Sequence, residues 1–477
     1  MTTVSSAGIG SGLDVNSIIS QLMAIEKQPL TTLQNKESTI QSTVSEYGKI
    51  KSAISTLNDL ATKLASQTTW AQTTASSTST AVAATTNGSA AGTYSVEVQS
   101  LASVQTLATG VAASATALAG AGNLHIELGT WGAGQTTFTA SPTAAAVDIT
   151  VSATDTLADV RDKINSSGAG VTALIMTDAN GSRLLLRSNT TGEANAFRTT
   201  VTDSDGGNND AAGLSQLAFD PSAGVSVMTQ NQIAANAAAT INGLAVSSTT
   251  NTLASIVDGL TLNLAAQTTG PVTVNVVADT TSIKKTITDF AAAYTAVNAL
   301  IAGDTKYNPT TKTGGILQGD SSASGLQRSL RTLLGSASSA SSVYGRLSDV
   351  GLQIQGDGSL TVNATQLDSA LGNLVETKKL FANSNPADPT QDGFAKRFRV
   401  ATDAMLGIDG VLTTRTDGLG QQLQRNQTDQ DNMQTRLDAT EARLRAQYTA
   451  LDARMAALTS QSAYITQQIA SWTANSS

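Results

Sequence analysis

Few residues of this 477-residue chain could do chemistry together. It has one histidine, His125, and no cysteine, which excludes a thiolate nucleophile, a disulfide framework and a Cys or multi-His metal site. Ser282-Ile283-Lys284-Lys285 has the S-x-x-K form, and Lys312-Thr313-Gly314 spells K-T-G, two of the three signatures of penicilloyl-serine hydrolases. The third, S-D-N, is absent, and K-T-G follows the turn-forming Asn308-Pro309. Coincidence therefore outweighs a serine hydrolase built on Ser282 and Lys285. Gly8, Gly10 and Gly12 make a glycine-rich stretch, but it follows no strand and lacks the GK[ST] ending of a phosphate loop, so a hinge is the expectation. Asp203, Asp205 and Asp210 are spaced like the start of a calcium loop. The sixth position is Asn208 where glycine is needed, and the twelfth is Leu214 where a bidentate glutamate is needed, which leaves a solvated turn. His125 has only Glu127 as a nearby acid, on the same face of a strand, and reads as a partly buried histidine. Trp70, Trp131 and Trp472 are too dispersed for a stacking platform. No cofactor, metal site or enzymatic activity is expected.

The elements around these residues differ along the chain in charge and in hydrophobic period. The net charge of -8 is local. Residues 73–282 hold five Lys/Arg against fourteen Asp/Glu, whereas 1–72 and 423–477 each balance at five and five. No Lys or Arg lies between Lys63 and Arg161, so the middle of the chain repels phosphates and neither nucleic acid nor an anionic membrane is an expected partner. The first residues carry no basic segment followed by an apolar run, and no apolar stretch reaches 18 residues. Membrane insertion is not expected, and any export would use a route without a cleaved signal.

Both ends read as helix. Leu33, Ile40, Tyr47, Ile54 and Ala61 recur every seven residues, and Ile50, Leu57 and Leu64 stand three positions after the last three of these, an a/d seam. Pro29 separates this seam from a shorter apolar helix around Ile18, Ile19, Leu22 and Ile25, whose start Asp14 or Asn16 could cap. At the other end Leu423, Leu437, Leu444, Leu451, Leu458, Ile465 and Trp472 share one heptad frame, interrupted only by Gln430, with Tyr448, Met455 and Ile469 four residues on. Gln427, Gln434, Glu441 and Ser462 interrupt the second frame, which weakens a seam while fixing its register. With no Pro or Gly after residue 422, the spacing predicts one helix of roughly 80 Å and favours a coiled coil over an ordinary bundle core.

The middle changes to period two. Tyr94, Val96 and Val98 alternate with polar residues, and strands are expected at 147–151, 171–176, 183–187, 260–264 and 272–277. Asn180-Gly181 predicts a hairpin, and Leu157, Val160 and Ile164 share one face of a helix over 156–166. The Gly/Ser/Thr/Asn-rich stretches 72–93, 118–123 and 203–213 read as linkers or loops. Helix returns at 283–301 and 326–334, and a hairpin turning at Asp357-Gly358 is expected over 353–362. The fold class is therefore multidomain α+β: N- and C-terminal helices that pair as coiled-coil or helical legs, with nested β-rich head domains between them.

Four segments carry a family resemblance. Residues 8–30, GIGSGLDVNSIISQLMAIEKQPL, resemble the N-terminal signature of the flagellar filament cap family, also called flagellar hook-associated protein 2, through Gly8, Gly10, Gly12, Leu13, Asp14, Leu22, Pro29 and Leu30. Residues 433–470 look like the C-terminal helix of that family. Residues 156–197 are similar to a repeat inserted in flagellins and hook-associated proteins, and 241–277 resemble the segment that leads back into the helical part. Residues 112–142 match no familiar segment.

The resemblance implies a terminal coiled-coil leg from 1–38 with 433–477 and a helical stalk from 39–72 with 283–432. It implies an inner head from 73–118 with 236–282 and an outer head over 119–235. It implies a structural cap, secreted through the flagellar export machinery with its chaperone and seated at the distal tip of a bacterial flagellum. Such a cap is a ring-shaped homo-oligomer, expected as a pentamer, that retains exported flagellin, promotes its folding and polymerisation, and neighbours the hook-filament junction proteins. Leu33, Ile40, Tyr47, Ile54, Leu423, Leu437, Leu444, Tyr448, Leu451, Met455, Leu458, Ile465 and Ile469 are then the candidate residues for oligomerisation and filament docking. The alternative is a secreted adhesin whose acidic β-rich head binds host mucin or glycan.

Overall fold

The computed structural model describes residues 14–88 and 90–475. Gly8, Gly10, Gly12 and Leu13 of the N-terminal signature lie outside the described residues. The chain divides into a helical unit, made of residues up to Trp70 together with those from Thr280, and a β-rich unit over Ala71–Asp279. The helices, in chain order, are α1 (Val15–Glu26), α2 (Gln28–Ala65), α3 (Gln67–Trp70), α4 (Leu157–Ser166), α5 (Thr280–Thr305), α6 (Ser321–Gly335), α7 (Ala364–Leu371), α8 (Leu374–Ala382), α9 (Phe394–Leu406) and α10 (Val411–Asn475).

In the helical unit, the Asp14 carboxylate caps α1 by accepting from the Ser17 N–H at 3.0 Å. Pro29 sits in the first turn of α2, where its missing N–H costs no helical bond. One stripe of α2 (Ile40, Tyr47, Ile50, Ile54, Leu57, Ala61, Leu64) is buried. It forms one core with Ile283, Ile287, Phe290, Tyr294, Val297 and Ile301 of α5, Leu326 and Leu330 of α6, Phe398 of α9, and Leu412 and Leu419 of α10. Phe290 and Phe398 meet edge to face at 5.2 Å, and Trp70 stacks on Phe381 at 5.7 Å while donating to the Leu64 carbonyl. This corrects the coiled-coil reading of the first seam. Ile40, Tyr47 and Ile54 are core residues of a many-helix domain, consumed by their own chain. A seven-residue repeat cannot distinguish a partner helix from several helices of the same chain. α7, α8 and α9 were not anticipated: they are short, and the buried face of α9 includes Ala395 and Thr402.

A polar clamp ties three helices of this core. Asp320 caps α6 by accepting from the Ser322 and Ala323 N–H groups, and its second oxygen takes Nε and Nη2 of Arg415 at 3.1 and 2.8 Å. The Arg415 guanidinium also lies 5.9 Å from the centre of the Tyr47 ring. Burial raises the Asp320 pKa, but the Tyr47 hydroxyl, Arg415 and the Ala323 N–H more than offset this and hold it below the usual carboxylate range. Tyr47 is pushed up to about 12, first by burial and then by the Asp320 carboxylate.

The β-rich unit has two cores. Around the first, a five-stranded antiparallel sheet runs Thr73–Ser77, Val272–Ala278, Gly92–Ser100, Ala237–Ile241, Leu244–Ser248. A three-stranded sheet (Thr252–Val257, Leu260–Leu264, Val82–Thr86) shares that core through Val82, Val96, Val98, Leu253, Leu262 and Val274. The second core joins α4 to a sheet centred on Gly122–Trp131 and to a four-stranded sheet ordered Thr229–Gln232, Thr106–Ala108, Gly181–Ser188, Val171–Asp178. Leu107 belongs to this second core, which therefore begins ahead of residue 119. Thr156 and Asp159 make a reciprocal capping box at the start of α4. The hairpin closes with Asp178 opposite Gly181, whose φ of +137° suits glycine. The expected linker 72–93 instead contains two strands, Thr73–Ser77 and Val82–Thr86, while 203–213 is a loop.

The clamp makes stability depend on pH in both directions. The depressed Asp320 contributes stability above the unfolded carboxylate range, near pH 4, that is lost as pH falls through its lower folded value. The raised Tyr47 contributes stability below about pH 10 that is lost as pH climbs toward about 12. Asp320→Asn should cost about 2 kcal/mol at neutral pH, a value discounted because Arg415 is one-third exposed, and should flatten the acid limb of the Tm-pH curve. An unchanged acid limb in thermal melts would discount the clamp.

Candidate functional site

The chemical constellations dissolve into structural contacts. Lys285 pairs with Asp289 one turn along α5, Lys284 pairs with Asp368, and Lys312 sits in the turn of a separate short hairpin at φ +56°. His125 meets Asp148, not Glu127: the two lie opposite each other on neighbouring strands, with Nδ1 2.9 Å from Oδ1. The contacts with His125 and Asn123 pull Asp148 below its ordinary value. Glu127 instead binds Arg198 at 2.7 Å, and Arg198 also reaches Asp220. In the 203–213 loop the buried Asp203 accepts from the N–H and Oγ of Ser215 at 2.9 and 3.0 Å. Burial raises its pKa, but these donors and the Asp205 N–H outweigh that and lower it, so Asp203 closes the loop on itself. Among the described residues, no group of three His, Cys, Asp or Glu side chains is placed to hold a metal. Trp131 packs on Phe138 and Phe219 and donates to the buried Gln105 at 3.1 Å.

What remains is α10. It starts twelve residues before Leu423 and passes through Gly418 and Gly420 without a break, because Leu412 and Leu419 on its first turns are anchored in the helical core. Three zones follow. Leu423 is half-buried at the edge of that core. Next, α1 lies on α10: Val15, Ile19 and Met23 close over Leu437, which is 2 % exposed, with Leu30, Met433, Leu444 and Tyr448 around them. Arg445 reaches Asn16 at 3.3 Å, and Gln430 donates to Glu37 of α2 at 2.7 Å. Beyond Tyr448 the seam opens to solvent, with Leu451, Leu458 and Ile465 at 45, 59 and 50 % exposure and Met455, Ile469 and Trp472 also exposed.

The thirteen candidate seam residues therefore separate by burial. Ile40, Tyr47, Ile54 and Leu437 are buried within the chain, and Leu33, Leu423, Leu444 and Tyr448 are half-buried. Leu451, Met455, Leu458, Ile465 and Ile469 are exposed. In the N-terminal signature, Asp14 is the cap, Pro29 opens α2, Leu30 joins the α1–α10 contact and Leu22 is exposed. The sequence placed the apolar face of α1 on Ile18, Ile19, Leu22 and Ile25. Its buried face is Val15, Ile19 and Met23, four residues apart, and Ile25 is exposed. Met23 at that spacing was the available signal. Gln434 bonds to Asp438 and Glu441 to Arg445, so two of the polar interruptions are satisfied along the helix itself.

The architecture is that of a multidomain α+β protein whose two chain ends supply the helices and whose middle supplies the sheets. The family description "Flagellar hook-associated protein 2 N-terminus" matches residues 11–105, and "Flagellar hook-associated protein 2 C-terminus" matches 234–460. "Flagellin hook IN motif" matches 132–190. The chain belongs to the flagellar hook-associated protein 2 family. It is similar to flagellar hook-associated protein 2 of Escherichia coli (strain K12), 33% identical over 442 residues and 89% of each chain. It is also similar to the B-type flagellar hook-associated protein 2 of Pseudomonas aeruginosa strain PAO1, 31% identical over 456 residues, 91% of this chain and 90% of that one. The crystal structure of the flagellar cap protein FliD D1-D2-D3 domains from Escherichia coli superposes with a TM-score of 0.60 at 30% identity, covering 79% of this chain and 99% of that one.

The α1–α10 contact rests on a small cluster and should be separable from the main core. Leu437→Ala should remove about 2 kcal/mol or more of packing. Amide exchange in α1 should then rise sharply while residues 47–64 stay protected. Unchanged protection of α1 would show that it is held elsewhere.

Proposed function

We propose that this protein is a subunit of the cap at the distal tip of a bacterial flagellum. In this reading several copies assemble as a ring. The β-rich units form the barrier that retains exported flagellin, and the helical units guide its folding and polymerisation at the filament end. The family membership supports the cap role, and the similar Escherichia coli structure is described as a flagellar cap protein. The observation that carries the mechanism is the division of α10. Its first half is spent on the chain's own core and on α1, while Leu451, Met455, Leu458 and Ile465 keep the heptad spacing with their side chains in water. Each buried on a neighbouring helix would contribute on the order of 1 kcal/mol at about 25 cal/mol per Å². A few such residues bind firmly, yet each single contact is weak enough to be released and remade as the filament grows.

The same reading makes the exposed stripe the site of oligomerisation and filament docking, with flagellin and the hook-filament junction proteins as neighbours. It also makes the protein a secreted one, delivered by the flagellar export machinery with its chaperone. The β-rich unit then has an inner part around its first core and an outer part around its second, which takes in Leu107 and so begins ahead of residue 119.

Removing residues 451–477 tests the reading while sparing Leu437, Leu444 and Tyr448. The truncated chain should melt like the full chain, since the deleted residues are mostly exposed. In a strain lacking its own cap it should leave flagellin unpolymerised in the medium. Motile cells carrying the truncated chain would overturn the docking role.

A further inference from the structure

An edge strand offers a row of free N–H and C=O groups, and folded proteins blunt such rows against pairing with foreign chains. Several edges of the β-rich unit are blunted in this way. Asn165 accepts from the Ala173 N–H at 2.7 Å and donates to the Ala173 carbonyl at 2.9 Å, which caps the edge of Val171–Asp178. Lys163 covers the Thr150 carbonyl of Val147–Val151. Thr252–Val257 is broken by a bulge in which Ser255 takes φ +63°, and Thr229–Gln232 by another irregularity. Leu244–Ser248, the last strand of the five-stranded sheet, has none of these devices. It holds no charge and no proline, and no charged residue occurs anywhere in 237–257. Its turn is firmly set. Asn242 and Gly243 both take positive φ, +50° and +80°, a two-residue hairpin turn. Asn242 donates to the Ser95 carbonyl at 2.8 Å and accepts from the Ser95 N–H at 2.9 Å. Leu244 lies opposite Ile241 and Val246 opposite Ala239, the pairs that exchange ladder bonds behind such a turn. Ala245 and Ser247 therefore turn their N–H and C=O groups outward, and among the described residues these groups meet no backbone partner. Beside them Val246 is half-buried on the first core and Leu244 is 72 % exposed.

We propose that this edge holds an arriving flagellin chain before it has folded, by taking one extended segment as a sixth strand. The chemistry of the edge selects that occupant. It offers two donors, two acceptors and an uncovered apolar side, and no charge, so what it recognises is backbone. A folded surface has already spent its backbone groups, whereas an unfolded chain presents them along its whole length. Strand addition reads side chains only at alternate positions, here beside Leu244 and Val246, so successive segments of one chain can use the same edge. Neutrality matters in a region with fourteen Asp/Glu against five Lys/Arg, because an acidic edge would repel acidic segments. Four hydrogen bonds, each of modest net strength, hold a segment briefly and then release it to fold. The proposal rests on the cap reading and deepens it by assigning a contact through which the β-rich unit retains flagellin.

Flagellin diluted from urea into a solution of the full chain should slow amide exchange over residues 244–248, and natively folded flagellin should not. Because the chain has no cysteine, Ala245→Cys carries a single thiol-reactive photo-crosslinker, which should capture many different segments of the unfolded flagellin. Ser247→Pro removes one outward N–H and sets a ring against the incoming strand, and Leu244→Lys places a charge on its apolar side. Each should weaken capture of unfolded flagellin roughly tenfold with an unchanged thermal melt. Leu244→Lys keeps every backbone bond, so it decides the matter if the proline variant unfolds. Unchanged capture by Leu244→Lys overturns the proposal, as does equal capture of folded flagellin or cross-linking to a second copy in its place. If the wild-type chain restores filaments to a cap-deficient strain and Leu244→Lys captures flagellin unchanged, only this edge is wrong. If the wild-type chain restores none, the cap reading itself fails and this proposal falls with it.

Discussion

The structure depends on one apolar stripe of α2 finding its cover. Tyr47, Ile50, Ile54, Leu57 and Leu64 have no exposure, and the helices that close over them begin at Thr280. Every residue of the β-rich unit is thus inserted into a loop whose ends the helical core must bring together. Loop-closure entropy grows only with the logarithm of length, about 0.6 kcal/mol per doubling. An insertion this long is therefore cheap once the ends pair well. The Asp320–Arg415–Tyr47 clamp sets the register of that pairing, because it fixes the start of α6 and the first turns of α10 against the middle of α2. A shift by one turn would leave a buried carboxylate without its cation.

The outline of this arrangement was legible in the sequence wherever burial follows period. The strand over 260–264 was placed to the residue, and the helix over 156–166 to within one residue of its start, because apolar alternation and helical spacing are local properties. Thr73–Ser77 and Val82–Thr86 were not visible. Their Ser/Thr-rich sequences carry little alternation, and they are strands because Val272–Ala278 and Leu260–Leu264 lie beside them. The acid that meets His125 was missed for the same reason: Asp148 is remote in sequence and adjacent only through strand register.

The seam was the least decidable feature. Residues 40–64 and 444–472 share a heptad repeat, yet one stretch is a domain core and the other lies largely in water. Nothing in the repeat separates them. What separates them is the amount of chain available to cover each. α2 is met by α5, α6, α9 and the start of α10, whereas the second zone of α10 is covered by α1, a helix of twelve residues, and by Leu30 in the first turn of α2. Among the described residues the cover stops where that helix starts, beside Arg445.

The order of the elements also sets a timetable. A chain made from its N-terminus completes α2 at residue 65 and must then produce more than two hundred residues before α5 is finished. At roughly 5–20 residues per second, the apolar stripe of α2 stands uncovered for on the order of ten seconds or more. The β-rich unit, by contrast, is contiguous and can close as soon as Asp279 has emerged. The earliest-made apolar surface is thus among the last to be buried, and for that interval the unfinished chain is most open to capture by whatever else recognises a bare heptad.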